Sequence, residues 1–240
     1  MESALYLIPV TLGDFSEELI QKSLPPYNRT VILGIKHFIV ENIRTARRFL
    51  RAVDKSIDID TLAFYELNEH TDLSAVSAYL EPLEKLHLSM GIISEAGCPA
   101  VADPGAPIVE LARKKRLPVV PLVGPSSMIM AVMASGFNGQ SFAFNGYLPV
   151  KNGERVAKLK SLESRAWKEN QTQLFIEAPY RNLQMLKTVL STCRRDSRLC
   201  IAAGLTTEQE YTCTAFVEEW KKMPEPPINK IPAIFLIYRA

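Results

Sequence analysis

The stretch Ser94-Glu-Ala-Gly-Cys-Pro-Ala-Val-Ala-Asp-Pro-Gly105, followed by Leu122-Val-Gly-Pro-Ser-Ser127, decides the fold. Each stretch follows a short apolar run, 88–93 and 117–123, and leads toward a predicted helix. Turns rich in Gly, Pro and Ser between a strand and a helix leave bare main chain that a small ligand can approach closely. Neither Gly-x-Gly-x-x-Gly nor Gly-x4-Gly-Lys-Ser/Thr occurs. The pattern predicts parallel strands whose carboxyl ends bind something other than a dinucleotide or a nucleoside triphosphate.

Composition narrows the class of protein. The 240 residues are 47% hydrophobic and 22% charged, which suits one large or two modest globular domains and excludes disorder as the main state. The net charge of +2 lacks the strong basic bias of many nucleic-acid-binding proteins. Four cysteines without a C-x-x-C pair and three scattered histidines predict no metal site. A short acidic N-terminus and the lack of a long apolar stretch predict a cytoplasmic protein with no membrane partner.

Apolar periodicity predicts two α/β domains. Strands are expected at 5–8, 37–40, 64–66, 88–93, 118–123, 141–148, 173–176, 199–203, 211–216 and 231–238. Helices are expected after Ser16 and at 44–53, 73–86, 107–115, 127–134, 153–169 and 183–190. The predicted domains are 1–137, with a mostly parallel sheet, and 138–240, with a mixed or antiparallel sheet.

Eight short motifs follow one another along nearly the whole chain. They are 5–14 (L-Y-L-I-P-V-T-L-G-D), 40–44 (V-E-N-I-R), 68–69 (N-E), 94–99 (S-E-A-G-C-P), 102–105 (A-D-P-G), 123–126 (V-G-P-S), 144–149 (F-N-G-Y-L-P) and 175–181 (F-I-E-A-P-Y-R). In this order they resemble the tetrapyrrole methylase superfamily, and within it the group that methylates the ribose 2′-hydroxyl of a cytidine in small-subunit ribosomal RNA. Each motif alone is weak, and eight in order make a specific signal.

The resemblance implies two α/β domains of the tetrapyrrole methylase type, with S-adenosylmethionine in a cleft between them and a homodimer as the assembly. It also explains the missing glycine fingerprint, because this superfamily contacts its cofactor through several separated loops. The cofactor-binding residues expected from the matched motifs are Pro9, Gly13, Glu95, Gly97, Val101, Asp103, Gly124, Pro125, Ser126, Glu177 and Ala178.

The departures from the family pattern fall on polar side chains. The family's Asp-Thr is Asn42-Ile43 here, its His before Asn68 is Leu67, its Asp is Glu95, its two Ser are Ala102 and Ala178, and its second His is Tyr180. Near 203–210 the family's Arg, Glu and Lys are replaced by Ala203, Gly204 and Thr207, whereas Glu210 is retained. The Gly and Pro positions that define the backbone persist, so the departures concern the acceptor more than the fold.

The cofactor residues also have plainer interpretations. Backbone N–H groups at 124–127, where a helix begins, suit the donor's carboxylate or its adenine acceptors, but the same residues would form an ordinary strand–helix turn. Glu95 would accept hydrogen bonds from the donor's amino group or ribose hydroxyls, or lie solvated in its loop. Asp103 is expected to support the Asp-Pro-Gly turn through its own backbone.

Catalysis needs alignment and a base. Methyl transfer from a sulfonium is an in-line displacement, and a ribose hydroxyl is a poor nucleophile that benefits from a general base. Glu41 and Glu69, each at a predicted strand end, are the candidate bases. Arg44 would pair with a phosphate or fix Glu41, although a Glu and an Arg three apart also form ordinary ion pairs at helix starts.

Basic residues cluster at 44–51, 113–116 and 151–168. The second cluster is typical of a solvated helix end. The first and third could follow RNA phosphates, since Lys151 comes directly after the motif that ends at Pro149, and the third could equally be a solvated helix face. The residues expected to contact the acceptor are Asn68, Lys151 and Arg181.

Three functions remain open from sequence alone. The first is a ribose methyltransferase of small-subunit ribosomal RNA, or a diverged paralogue, with ribosomal RNA or the small subunit as partner. The second keeps the cofactor and changes the acceptor to a tetrapyrrole or another small molecule. The third is a cofactor-binding module that has lost catalysis, an interpretation motivated by Asn42, Ile43, Leu67, Ala203 and Thr207.

Overall fold

The computed structural model describes residues 2–68, 71 and 76–240. The chain divides into two compact units, the first ending at Ser126 and the second comprising Ser127–Ala240. The sequence placed the junction near 136–140. Helix Ser127–Ser135 belongs instead to the second unit, because its residues pack on three strands of that unit's sheet.

A five-stranded parallel sheet forms the centre of the first unit. Its strands are β1 (Leu5–Ile8), β2 (His37–Val40), β3 (Ala63–Glu66), β4 (Met90–Ile93) and β5 (Val119–Pro121), in the order β3-β2-β4-β1-β5. The central strands are continuous apolar runs because helices cover both faces of the sheet. The α/β class predicted for both domains is confirmed by this sheet and by the second unit.

Two helical layers cover this sheet. The helices are α1 (Glu17–Ser23), α2 (Pro26–Leu33), α3 (Ile43–Val53), α4 (Val76–Tyr79), α5 (Glu81–Leu86) and α6 (Ala106–Lys114), with a 3₁₀ turn at Ile59–Thr61. Side chains alternate along β1, so Tyr6 and Ile8 join the core with α2 and α3. Leu5 joins the core formed with α5 and α6 on the other face.

The order of the strands creates a switch point between β1 and β4. The chain leaves β1 toward β2 and leaves β4 toward β5, so the two connections run in opposite directions and cover opposite faces. In open α/β sheets, ligands bind outside the carboxyl ends of the strands at such a point. The two stretches of sequence that decided the fold follow β4 and β5, so they lie on either side of the loop after β1 at this edge of the sheet.

A mixed sheet forms the second unit. Its strands are β6 (Phe142–Tyr147), β7 (Thr172–Ile176), β8 (Arg198–Ala203), β9 (Tyr211–Phe216) and β10 (Ala233–Tyr238), in the order β6-β7-β10-β8-β9. Only β6 and β7 pair in parallel. The helices are α7 (Ser127–Ser135), α8 (Asn152–Lys168), α9 (Asn182–Thr192) and α10 (Val217–Trp220), with a 3₁₀ turn at Pro179–Arg181.

The predicted strands all occur, with ends that shift by a few residues. The sequence missed α2, where Pro25-Pro26 reads as a loop but Pro26 stands at the first helical position, which tolerates proline. The described part of the helix predicted at 73–86 is helical but broken at Leu80, so α4 and α5 are two separate short helices. Among the described helices, none has the length and apolar character that crossing a membrane requires.

Candidate cofactor and acceptor sites

The parallel sheet brings the predicted residues of the first unit to one edge. The loops that follow its strands are 9–16 after β1, 41–42 after β2, 67–68 after β3, 94–105 after β4 and 122–126 after β5. All predicted cofactor residues up to Ser126, together with Glu41 and Asn68, lie in these loops, and Arg44 lies in the first turn of α3. Glu69 lies outside the described residues.

An isolated bridge joins the loops after β1 and β4. Val10 and Gly97 exchange two backbone hydrogen bonds, with N–O distances of 2.9 and 3.1 Å. Gly97 adopts φ +70°, a left-handed conformation that favours glycine. The bridge fixes the separation of the two loops at the switch point, so it positions the main chain there.

Gly124 is a packing glycine. A Cβ built on Gly124 would overlap Cβ of Pro9 and lie 2.6 Å from its Cγ. The loops after β1 and β5 therefore touch through this residue. The side-chain amide of Asn28 also donates to the carbonyl of Val123 at 2.8 Å. Pro9 thus gives residue 124 a structural need to be glycine. The sequence had linked this glycine to the close approach of a ligand.

Asp103 organises the loop after β4. Its Oδ1 accepts the backbone N–H groups of Ala100 and Gly105, both at 2.8 Å. Ala100 and Ala102 adopt φ of +64° and +60°, which is uncommon for residues with a Cβ. Burial raises the pKa of the Asp103 carboxyl, and the two N–H groups oppose that rise. These bonds match the structural role expected for Asp103.

Three side chains at this edge face solvent. Glu95 is exposed, Val101 is 50% exposed and Val123 is 73% exposed. These side chains give the edge apolar surface and a negative charge. Glu95 and Val101 are predicted cofactor residues, whereas Val123 is not; Pro9 is buried, so Glu95 and Val101 are better placed than Pro9 to contact a ligand with their side chains.

The loop after β2 is held by a helix cap. The Oδ1 of Asn42 accepts the backbone N–H of Thr45 at 3.1 Å and so caps α3. Asparagine caps a helix as well as the family's aspartate does, so this departure conserves the local structure. Glu41, one residue earlier, is half-buried, and Arg44 is exposed.

Two cavities differ in what they can hold. A cavity of about 10 Å³ is lined by residues that include Glu41, Ser94 and Asp103, and its volume suits about one water molecule. A larger cavity of about 420 Å³ lies among α1, α2 and the end of α3. The larger cavity contains none of the predicted site residues.

In the second unit, a buried ion pair forms at the end of β7. Oε1 of Glu177 accepts the backbone N–H of Ala178 at 2.7 Å and Nη2 of Arg181 at 2.6 Å. The Glu177 side chain is only 2% exposed, and that of Arg181 is 21% exposed. The pair therefore fixes the turn after β7 and leaves little of either charge for a ligand.

Two exposed tyrosines, one at the end of β6 and one after β7, were not singled out as site residues by the sequence. Tyr147 is 65% exposed, and Tyr180, on the turn after β7, is 70% exposed. Lys151 lies nearby in sequence, is exposed, and makes a 3.5 Å ion pair with Glu154. A signal for the two tyrosines was present in the motifs 144–149 and 175–181, where an aromatic residue stands among turn-forming residues.

Residues 203–210 form a loop that bonds to itself. Ala203 is fully buried in β8, and a Cβ on Gly204, at φ +56°, would lie 2.7 Å from the carbonyl oxygen of Gln209. Oε2 of Glu210 accepts the backbone N–H of Thr206 at 2.6 Å. The retained Glu210 thus serves the loop itself.

Both the sequence and the structure are similar to those of known proteins. No protein-family model matches the chain. The ribosomal RNA small subunit methyltransferase I of Vibrio cholerae is 30% identical over 202 residues, 84% of this chain and 65% of that protein. The protein of the same name from Escherichia coli O157:H7 is 27% identical over 227 residues, 93% of this chain and 74% of that protein. The chain thus spans slightly less than two thirds of the Vibrio relative.

Solved structures share the fold across both units. The methyltransferase CobJ matches with a TM-score of 0.63 at 12% identity, over 99% of this chain and 94% of that one. A uroporphyrin-III C-methyl transferase from Thermus thermophilus, complexed with S-adenyl homocysteine, matches with a TM-score of 0.54 at 15% identity, over 98% and 97%. The chain is thus similar in sequence to two ribosomal RNA methyltransferases and shares its fold with two solved methyltransferases.

Proposed function

We propose that this protein is an S-adenosylmethionine-dependent methyltransferase that methylates a ribose 2′-hydroxyl of small-subunit ribosomal RNA. The observation that carries the proposal is the edge of the parallel sheet, where the loops after β1, β4 and β5 meet at the switch point. The names of the Vibrio and Escherichia relatives supply the acceptor class.

The residues at this edge fit the proposed donor. Exposed Val101 and Val123 suit its adenine ring and carbon chain. The carboxylates of Glu41, Glu95 and Asp103 suit a positively charged sulfonium. When bound, S-adenosylmethionine supplies an electrophilic methyl group. In the second unit, the Glu177 carboxylate holds the main chain of Ala178 in place.

The chain's own residues would bind the acceptor and move its proton. The Glu41 carboxylate would accept the proton of the 2′-hydroxyl, and its place after β2 at the sheet edge supports that role. Arg44, exposed in the first turn of α3, would bind an adjacent phosphate. Asn68 would orient the ribose, and Glu69 remains an alternative base. Lys151 would bind a phosphate, while Arg181 would act chiefly by fixing the turn after β7.

Titration of the donor tests the cofactor half of the proposal. Val101→Glu and Val123→Glu should each weaken binding of S-adenosylmethionine in calorimetry, because both side chains are exposed and the added charge disfavours apolar contact. Leu86→Glu is the matched control, since Leu86 is 64% exposed and ends α5 at the opposite edge of the sheet. Equal affinity in all three variants would contradict the proposed site.

Methyl transfer tests the acceptor half. With methyl-labelled donor and unmodified small-subunit RNA or subunits, Glu41→Gln should lower kcat by about 100-fold while the donor's Kd is unchanged. Glu208→Gln, an exposed acid in the second unit, is the control. Label in a porphyrinoid but in no RNA would overturn the RNA acceptor and favour a small-molecule substrate.

A second candidate is a cofactor-binding module without catalysis. It is favoured by the self-bonded loop 203–210, where the retained Glu210 is already bonded to Thr206. It is also favoured by Leu67, which lies 4% exposed in the apolar core where the family has histidine. Donor binding without label in any RNA or porphyrinoid would support it.

Assembly and location form part of the same proposal. We infer a homodimer that works in the cytoplasm, where small-subunit RNA is available. Met133 of α7 is 77% exposed, and such an apolar residue supports burial against a second copy. Sedimentation velocity should report a dimer that Met133→Glu weakens; a monomer at all concentrations would refute this part.

A further inference from the structure

Two exposed tyrosines leave the second unit's sheet at the same edge. Tyr147 ends β6 and pairs in register with Ile176, which ends the neighbouring parallel strand β7. Four residues beyond Ile176 the chain reaches Tyr180. Both rings face solvent, at 65% and 70% exposure. Aromatic side chains contribute most when their area is buried, so such a pair indicates a binding surface.

A β-bulge directs Tyr147 outward. The register of β6 against β7 shifts between Phe144 and Tyr147, and Gly146 in that gap adopts φ +64°. The amide of Asn145 holds the bulge by donating to Oε1 of Gln173 at 3.2 Å and to the carbonyl of Leu174 at 3.1 Å. Bulges bend a strand and change the direction in which a side chain points, so this one gives Tyr147 a fixed exit from the sheet.

An independent device fixes Tyr180. The 3₁₀ turn that carries it is closed by the bond from the Arg181 N–H to the Ala178 carbonyl at 2.7 Å and by the buried Glu177 carboxylate. The Arg181 guanidinium carbon lies 5.6 Å from the centroid of the Tyr180 ring. The ring therefore stands on a rigid turn with a cation beside it.

Flat aromatic faces and cations together suit nucleobases and phosphates. Lys151, whose side chain is 83% exposed, follows Tyr147 by four residues and adds a mobile positive charge. Bases stack on tyrosine rings only when they are not stacked within a duplex, and such stacking tolerates any base. A membrane surface would need a larger apolar area than two separate rings provide.

We propose that Tyr147 and Tyr180 are stacking platforms for two unpaired nucleobases of the acceptor RNA, with Lys151 binding the backbone between them. The inference rests on the proposed function and makes it narrower: the acceptor is recognised as a single-stranded segment, and these two residues position it without taking part in the methyl transfer.

Binding of a short single-stranded RNA oligonucleotide that carries 2-aminopurine tests the inference in the absence of donor. Tyr147→Ala and Tyr180→Ala should each weaken binding by about 5- to 150-fold. Each should also reduce the fluorescence quenching that stacking produces. Tyr147→Phe and Tyr180→Phe should bind like the wild type, because the ring is kept. A blunt duplex of the same sequence should bind more weakly and show no quenching change.

The matched control is Phe216→Ala. Phe216 is an exposed aromatic residue that ends β9, at the opposite edge of the same sheet, and its loss should leave RNA binding unchanged. Three results would each overturn the inference: unchanged RNA affinity in both alanine variants, equal binding of duplex and single strand, or binding of the surface around Tyr147 and Tyr180 to anionic phosphatidylserine vesicles in place of RNA. Donor titration and methyl transfer are measured separately, so failure of the proposed function can be told from failure of this inference. If only the proposed function fails, the alanine variants still lose RNA binding, but neither the wild type nor any variant transfers label to RNA.

Discussion

Replacing Gly124 with alanine tests the packing of the loops after β1 and β5. The added Cβ would overlap Cβ of Pro9, lie 2.6 Å from its Cγ and lie 3.5 Å from Cδ2 of Leu24. The Pro9 ring cannot rotate away because it closes on its own backbone, and the Val10–Gly97 bridge holds the next residue. Overpacking by a methyl group costs about 1–3 kcal/mol, and the rigid neighbour puts this substitution near 3 kcal/mol. For a chain of this size the unfolding midpoint should fall by about 6–12 °C.

Circular dichroism during thermal and urea unfolding provides the measurement. Gly153→Ala is the control, because nothing lies within 4 Å of its added Cβ and alanine favours the helix there. In a Pro9→Gly background, which removes both overlapping atoms, the further loss caused by Gly124→Ala should drop below about 1 kcal/mol. An equal loss in both backgrounds would refute the clash with Pro9 as the cause.

Three further substitutions test other contacts. Asp103→Asn should remove a pH dependence of the free energy of unfolding. Because burial raises the folded-state pKa of Asp103, the wild type should lose stability as the pH rises from about 4 through that folded-state pKa. Urea titrations across that range should show no such loss in the variant. Asn42→Ala should cost about 1 kcal/mol by removing the cap of α3, whereas Asn42→Asp should be nearly neutral, as chemical unfolding at neutral pH would show. Glu177→Gln should destabilise the chain by about 2 kcal/mol, because a mostly buried Arg181 loses its counter-charge, and Arg181→Met in the same background should recover part of that loss.

The strands were readable from sequence because a buried parallel strand is a short apolar run bounded by turn residues. Helix α2 was not, because Pro25-Pro26 signals both a loop and a helix start, and only packing against the sheet separates the two. The packing of Gly124 against Pro9 could not be read from the sequence for a similar reason. In a sequence, a glycine that leaves room for a ligand looks the same as one that leaves room for another residue of the chain. Only the fold brings Pro9 next to Gly124.

Departures from the family pattern separate into two kinds once the structure is known. Asn42 and Leu67 are compatible with their surroundings, one as a helix cap and the other as a core residue. Tyr180 is 70% exposed, and its ring lies beside the guanidinium of Arg181. Sequence alone could not rank these substitutions, because whether a side chain caps, packs or projects depends on partners far away in the chain.

The central position of β1 has a consequence for how the protein is made. Leu5 pairs with Met90 on one side and with Val119 on the other, so neither edge of the first strand is satisfied until most of the first unit has been synthesised. A ribosome adding about 5–20 residues per second leaves this apolar strand unpaired for several seconds. The nascent chain should therefore depend on a chaperone that shields β1, and fragments that stop before β4 should aggregate when they are expressed.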